Sequence, residues 1–200
     1  MLKRLLLIAL VSYGAWHLLS TRQLDPGPGM VAPESPRQVA VGAEAPFSHN
    51  GYRITPLAGL SLEARVLATE RYYLDRESDL APIDLALGWG PMSDSGVLSA
   101  LDISQRNRFF FWRTERLPLP RSEIERHAAN MHMVPANEWV ASKLKRLRPG
   151  QVVALEGLLI RAEAEDGWRW VSSLSREDTG KGACELVWVE DVVVAGPAAI

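Results

Sequence analysis

The stretch VVALEGLLIRAEAEDGWRWVSS, residues 152–173, decides the fold. Val152–Glu163 is an apolar-rich run of strand length, Glu165-Asp166-Gly167 carries the Asp-Gly signal of a tight hairpin, and residues 168–173 return along it. Gly157 interrupts the first run at a point where a bulge or bend lets a sheet curl. A third strand is expected over residues 183–194, after a Gly-rich turn, completing a three-stranded meander.

Outward from this hairpin the β signals continue upstream. Residues 52–54 form a short extended piece broken by Pro56, and residues 60–73 alternate, with Leu62, Ala64, Val66 and Ala68 set against Glu63, Arg65, Leu67 and Thr69. Residues 84–89 and 108–113 are further candidate strands. The second carries Phe109-Phe110-Phe111-Trp112 without alternation, which predicts a strand covered on both faces. Between these and the hairpin lie helix signals. Pro120 and Ser122 precede Glu125, and Ile124, Ala128 and Met131 recur at i, i+4 and i+7, predicting a short helix ended by Pro135. Asn137 then caps a second helix with Val140, Leu144 and Leu147 as its apolar stripe, stopped at Pro149-Gly150.

Strands on both sides of a helical pair, with no βαβ alternation, predict an α+β domain: a curled antiparallel sheet or small barrel with a two-helix insertion. Gly150-x-Val152-x-x-Leu155-x-Gly157 before the hairpin also admits an OB-like barrel.

The amino terminus reads differently. Lys3 and Arg4 precede residues 5–21, which lack any formal charge, and Arg22 follows. As a helix that run covers roughly 25 Å, close to the ~30 Å hydrocarbon core, and flanking basic side chains can span the difference. Residues 1–22 are therefore expected as one transmembrane signal anchor. Leu18-Leu19-Ser20 lacks the small-x-small pattern of a cleaved signal peptide, which is the alternative. Basic residues ahead of the span place the amino terminus in the cytoplasm and the body in the periplasm of a single-pass inner-membrane protein. Residues 23–50, with Pro26, Pro28, Pro33, Pro36 and Pro46, read as a Pro-rich tether, which leaves residues 51–200 as the extracytoplasmic domain.

Composition removes several classes. Over 200 residues, Lys plus Arg is 22 against 24 for Asp plus Glu, and 47% of the chain is hydrophobic. A disordered polyampholyte, a collagen-like repeat and a bulk nucleic-acid coat are excluded. The one cysteine, Cys184, closes no intramolecular disulfide and supplies no zinc cluster. No cofactor and no metal is expected. The near-zero net charge conceals a basic centre: residues 104–148 hold ten Lys and Arg against four Glu. Pairing with the acidic flanks would neutralise that centre, whereas free basic side chains interleaved with aromatics would contact lipid or glycan. Nucleic acid is not an expected partner outside the cytoplasm.

Candidate contact residues are Trp89 in a Gly- and Pro-bracketed turn, Arg108, Trp112, His132 and Trp168. The catalytic candidates are Cys184 as nucleophile and His132 as base. Gly182-Ala183-Cys184-Glu185 lacks the motifs that flank the cysteine of sortases and of L,D-transpeptidases, and a core role for Cys184 competes. His127 and His132, five apart, would diverge on one helix and do not make a zinc pair. Asp75/Glu77 and Glu177/Asp178 have the residue types of an acid and base pair and equally those of solvated turns.

The chain resembles a set of uncharacterised proteobacterial proteins with one amino-terminal hydrophobic segment. The stretches that carry this are Ile54-Thr55-Pro56-Leu57-Ala58, Asp84-Leu85-Ala86-Leu87-Gly88-Trp89-Gly90-Pro91-Met92-Ser93-Asp94, Ala129-Asn130-Met131-His132, Gly167-Trp168-Arg169-Trp170 and Gly182-Ala183-Cys184-Glu185. The resemblance implies a shared fold and supplies no catalytic residue. The expected function is a membrane-anchored binding or accessory module of the cell envelope, with an envelope protein or glycan as partner. The alternative is an anchored Cys/His hydrolase or transpeptidase acting on cell-wall material.

Overall fold

The computed structural model describes residues 24–42, 44–175 and 184–195. The expected transmembrane helix therefore lies outside the described residues, and among those described no helix is long and apolar enough to cross a membrane. The strands are β1 (Arg37–Ala40), β2 (Phe47–His49), β3 (Tyr52–Arg71), β4 (Ile83–Gly88), β5 (Asp102–Arg106), β6 (Phe109–Arg113), β7 (Ala128–Pro135), β8 (Val152–Glu163), β9 (Arg169–Val171) and β10 (Glu185–Ala195). Three short helices accompany them: α1 (Ser95–Leu98), α2 (Arg121–Arg126) and α3 (Glu138–Leu144).

The main sheet is curled and mixed. β3 pairs antiparallel with β4, β4 with β7, and β8 with both β10 and β3, while β7 and β10 run parallel. These five pairings return to β3, so the strands close a ring. The expectation of an antiparallel sheet fails at β7–β10, and the expected meander fails because β8 lies between β9 and β10. Residues that alternate inward along the ring, among them Leu62, Val66, Leu85, Leu87, Met131, Met133, Leu155, Leu159, Val187 and Val189, form one buried cluster. Each such side chain contributes about 1.5–3 kcal/mol on leaving water, set against the entropy of ordering the chain.

Val140, Leu144 and Leu147 of α3 and its following turn belong to the same cluster and close one end of the ring. Asn137 caps α3 as expected, its side-chain oxygen accepting from the Val140 amide at 3.0 Å. Asn137→Ala should cost about 1 kcal/mol in denaturant unfolding, and a loss below a few tenths would show that packing alone sets where α3 begins.

Three further expectations are corrected. β3 runs unbroken through Pro56, because a register shift between Pro56 and Ala58 absorbs the missing donor. The helix expected up to Met131 ends at Arg126, and residues 128–135 are a ring strand. β6 is not covered on both faces: Phe110 and Trp112 pack inward, whereas Phe109 and Phe111 are exposed.

The Pro-rich segment is not a free tether. β1 and β2 both pair with β3, and the preceding residues are stitched onto the 3-10 turn Gly90–Ser93 and its flank. Ala32, fully buried, accepts from the Gly90 amide at 2.8 Å, and its own amide donates to Ser93 Oγ at 3.1 Å. Buried Arg65 donates to the Ser93 carbonyl at 3.1 Å, to Ser95 Oγ at 2.7 Å and to the Leu24 carbonyl at 3.4 Å. Backbone polar groups that Pro-rich composition would leave to water thus find partners on the body.

Candidate functional site

Alternation on β4 and β7 sends Leu85, Met131 and Met133 into the ring and turns Asp84, Asn130 and His132 outward. Register places Asp84 opposite His132, with Leu186 of β10 on the far side of His132. The side chain of Asp84 is fully buried and that of His132 nearly so. A buried carboxylate needs a partner. It comes from the β5–β6 hairpin.

Arg106 pairs with Phe109, so Asn107 and Arg108 form a two-residue turn with φ of 51° and 68°. Two positive φ values are the mark of a type I′ turn, where Asn is favoured and glycine normally stands second. Arg108 in that second place is strained, and its side chain is clamped. Nη1 donates to Asp84 Oδ1 at 3.1 Å and to the Ala81 carbonyl at 2.7 Å. Nη2 and Nε reach Asp75 Oδ1 and Oδ2 at 2.8 and 3.1 Å, a bidentate pairing. The guanidinium carbon lies 3.7 Å from the ring centre of Tyr72 and 5.7 Å from that of Trp170. Asp75 is itself fixed as the cap of the 3-10 turn Arg76–Asp79, accepting from the Ser78 amide at 2.9 Å.

Asn130 links the pieces: Nδ2 donates to the Arg108 carbonyl at 3.1 Å and to Asp84 Oδ2 at 3.3 Å, and Oδ1 accepts from Gln105 at 2.6 Å. His132 Nδ1 lies 2.9 Å from Asp84 Oδ1 but off the hydrogen-bonding direction, so the contact is one of proximity. The imidazole packs against Trp170, with ring centres 4.7 Å apart.

The environment is legible in two groups. Burial pushes the Tyr72 phenol up to about 12, although the Arg108 amide donates to its oxygen at 2.9 Å. Burial would raise the Asp75 carboxyl too, but the hydrogen bonds and charge of Arg108 outweigh it and hold Asp75 below the ordinary carboxylate value. For Tyr72 the sign follows directly. Below about pH 10, the ordinary tyrosine value, the phenol is protonated in both folded and unfolded chains. Between that pH and about 12 only the unfolded chain loses the proton, so stability falls as pH rises. Phenolate absorbance of the wild type against Tyr72→Phe should show one late-titrating tyrosine missing from the variant. An ordinary titration for all four tyrosines would contradict the burial of Tyr72.

The site gathers part of the expected set. Arg108 and His132 meet at Asp84. Trp168 joins through Trp170, 6.1 Å away, and is itself covered by Arg76 at 4.9 Å and edged by Tyr52 at 5.3 Å. Cys184 lies at the margin, with Sγ 3.8 Å from the Arg108 carbonyl oxygen. Trp89, 2% exposed, belongs to the ring interior, and Trp112 packs under the hairpin with Arg121 5.4 Å from its ring centre. Neither is part of the network. His127, at the end of α2, hydrogen-bonds through Nδ1 to the Glu123 carbonyl at 2.8 Å. Glu177 and Asp178 lie outside the described residues.

Tyr72, Asp84, Gln105 and Trp170 were not among the candidates. A charged residue inside Ile83-Asp84-Leu85-Ala86-Leu87, an otherwise apolar strand, is the signal that could have found the site. Chemically, both carboxylates are committed to one guanidinium, so the arrangement fastens the hairpin and does not offer an open acid and base. Compared with family models, curated proteins and solved structures, the chain matches none.

Proposed function

We propose that the chain is a membrane-anchored, extracytoplasmic binding or accessory module of the bacterial envelope, built on an OB-like barrel, and not an enzyme. The order β3-β4-β7-β10-β8, the parallel β7–β10 pair and helix α3 between β7 and β8 are the features that support the barrel. An OB-like barrel holds its ligands on the outer face of its second and third strands, here β4 and β7. That face is filled by this chain's own hairpin through Arg108. The observation that carries the reading is this internal pairing. The ionisable side chains that the fold collects on the outer face contact one another, and Asp84 and His132 are shut away from solvent. A partner then has to be met on other surfaces.

Proximity crosslinking of the full chain in native membranes, followed by mass spectrometry, tests the reading. A reproducible envelope partner, retained by Cys184→Ser, is the expected result. Recovery of none would count against it. Cys184 alkylating with small electrophiles much faster than a free thiol, with the rate lost in His132→Gln, would favour the anchored Cys/His enzyme instead.

A further inference from the structure

The end of the ring closed by α3 is where the amino-terminal segment meets the body. The Leu24 amide donates to the Pro149 carbonyl at 2.9 Å, and Gly150 (φ +92°) lies so close that a Cβ there would stand 1.7 Å from the Leu24 oxygen. Only Arg22 and Gln23 separate Leu24 from the apolar run 5–21. At 3.8 Å per residue step, Leu24 lies no farther than about 11 Å from the end of that run.

The surface beside this point is basic and carries an exposed indole. Lys145, Arg146 and Arg148 are exposed, and none makes an ion pair among the described residues. Trp139 and Lys143 stand one turn apart on α3, about 100° round the helix from the buried Val140 and Leu144, and Arg146 follows in the turn after it. Trp139 is 58% exposed, and Lys143 Nζ sits 3.4 Å from its ring centre while pairing with Asp191 at 2.8 Å. Internal pairing was the competing account of the basic centre. Of its ten basic residues only Arg108, Arg121 and Lys143 find acidic partners among the described residues.

We propose that this face, formed by Trp139, Lys143, Lys145, Arg146 and Arg148, lies against an anionic lipid surface and holds the body flat on the membrane that the amino-terminal segment spans. The inference rests on the membrane-anchored reading above. Unpaired basic side chains each strengthen attachment to anionic headgroups about fivefold, a tryptophan settles at the interface, and a reach of about 11 Å is close to the ~8 Å Debye length.

The test uses the full chain in lipid nanodiscs containing either phosphatidylglycerol or phosphatidylcholine alone, in a Cys184→Ser background. One fluorophore is placed at Ser142→Cys beside the face, or at Glu165→Cys in the β8–β9 turn. Ser142 lies in α3 ahead of β8 and Glu165 follows its far end, and the twelve residues of β8, at ~3.3 Å each, separate the two ends of that strand by up to roughly 35–40 Å. Headgroup-quencher lipid should quench the 142 label several-fold more than the 165 label in phosphatidylglycerol. Phosphatidylcholine, or Lys145→Gln with Arg146→Gln and Arg148→Gln at an unchanged melting temperature, should erase the difference. Equal quenching at both positions, or a difference indifferent to lipid charge, would overturn the proposal. So would a short single-stranded oligonucleotide that releases the 142 label from lipid at physiological salt. Failure of the anchored reading is separately visible as a chain that alkaline carbonate extracts from membranes. The same labels mixed with phosphatidylglycerol vesicles then decide the face alone.

Discussion

Arg108→Ala is expected to lower the unfolding free energy by about 3–5 kcal/mol, the cost of leaving a buried charge without its partner. Asp84 is fully buried, and its contacts with Arg108, Asn130 and His132 include a single permanently charged group. Removing the guanidinium therefore strands the carboxylate, and Asp75 also loses its bidentate contact. Arg108 occupies the left-handed region at φ 68°, so Arg108→Gly should be the milder variant by about 1 kcal/mol, despite the entropy glycine adds to the unfolded chain. Adding Asp84→Asn to Arg108→Gly should restore part of the loss, because a neutral amide is cheaper to bury than an unpaired carboxylate. Urea unfolding of the four proteins decides the matter. A loss under 1 kcal/mol for Arg108→Ala, or alanine outperforming glycine, would mean that the hairpin is held by Phe110 and Trp112 alone.

Gly157→Ala is the second large effect. A Cβ at Gly157 would meet the Trp188 oxygen at 2.0 Å, the Trp188 carbonyl carbon at 3.0 Å and Val189 Cα at 3.2 Å. All three are backbone atoms, so no side chain can swing aside, and the cost should reach the upper end of the over-packing range, about 3 kcal/mol. The damage has a location. Register shifts between Val189 and Asp191 opposite this point, so amides of β10 should exchange faster in the variant while those of β4 change little. Gly167→Ala is the control: its φ is +88° but nothing lies within 4 Å, and about 1 kcal/mol is expected. Equal losses at the two glycines would refute the close approach of β8 and β10.

Much of the fold was legible where local chemistry acts alone. The run 152–163, the Asp-Gly turn and the Asn137 cap need only neighbours in sequence, and all three occur where expected. The strand 128–135 was not legible, and the reason is physical. Its inward residues are Met131 and Met133, but its outward face is also covered, so Val134 and His132 are as buried as the methionines. The period of two disappears, and the chance spacing of Ile124, Ala128 and Met131 reads as helix. The parallel β7–β10 pair joins segments some fifty residues apart, and nothing local records it. The site followed the same division. Arg108 and His132 stood out as residue types, whereas their dependence on Asp84 exists only once β4 and β7 are in register.

The ring also orders events in time. β3 needs β8 on its second edge, and its residues 53–65 pair with residues 152–163, about a hundred residues later in the chain. At roughly 5–20 residues per second of synthesis, that edge waits on the order of 5–20 s with its amides and carbonyls unmatched. A twenty-residue strand left open for so long is a template for other chains. β1 and β2, which fold back on β3 from the amino-terminal side, emerge with it but pair with the edge opposite β8, so they give the strand early partners and leave the waiting edge open until the ring closes.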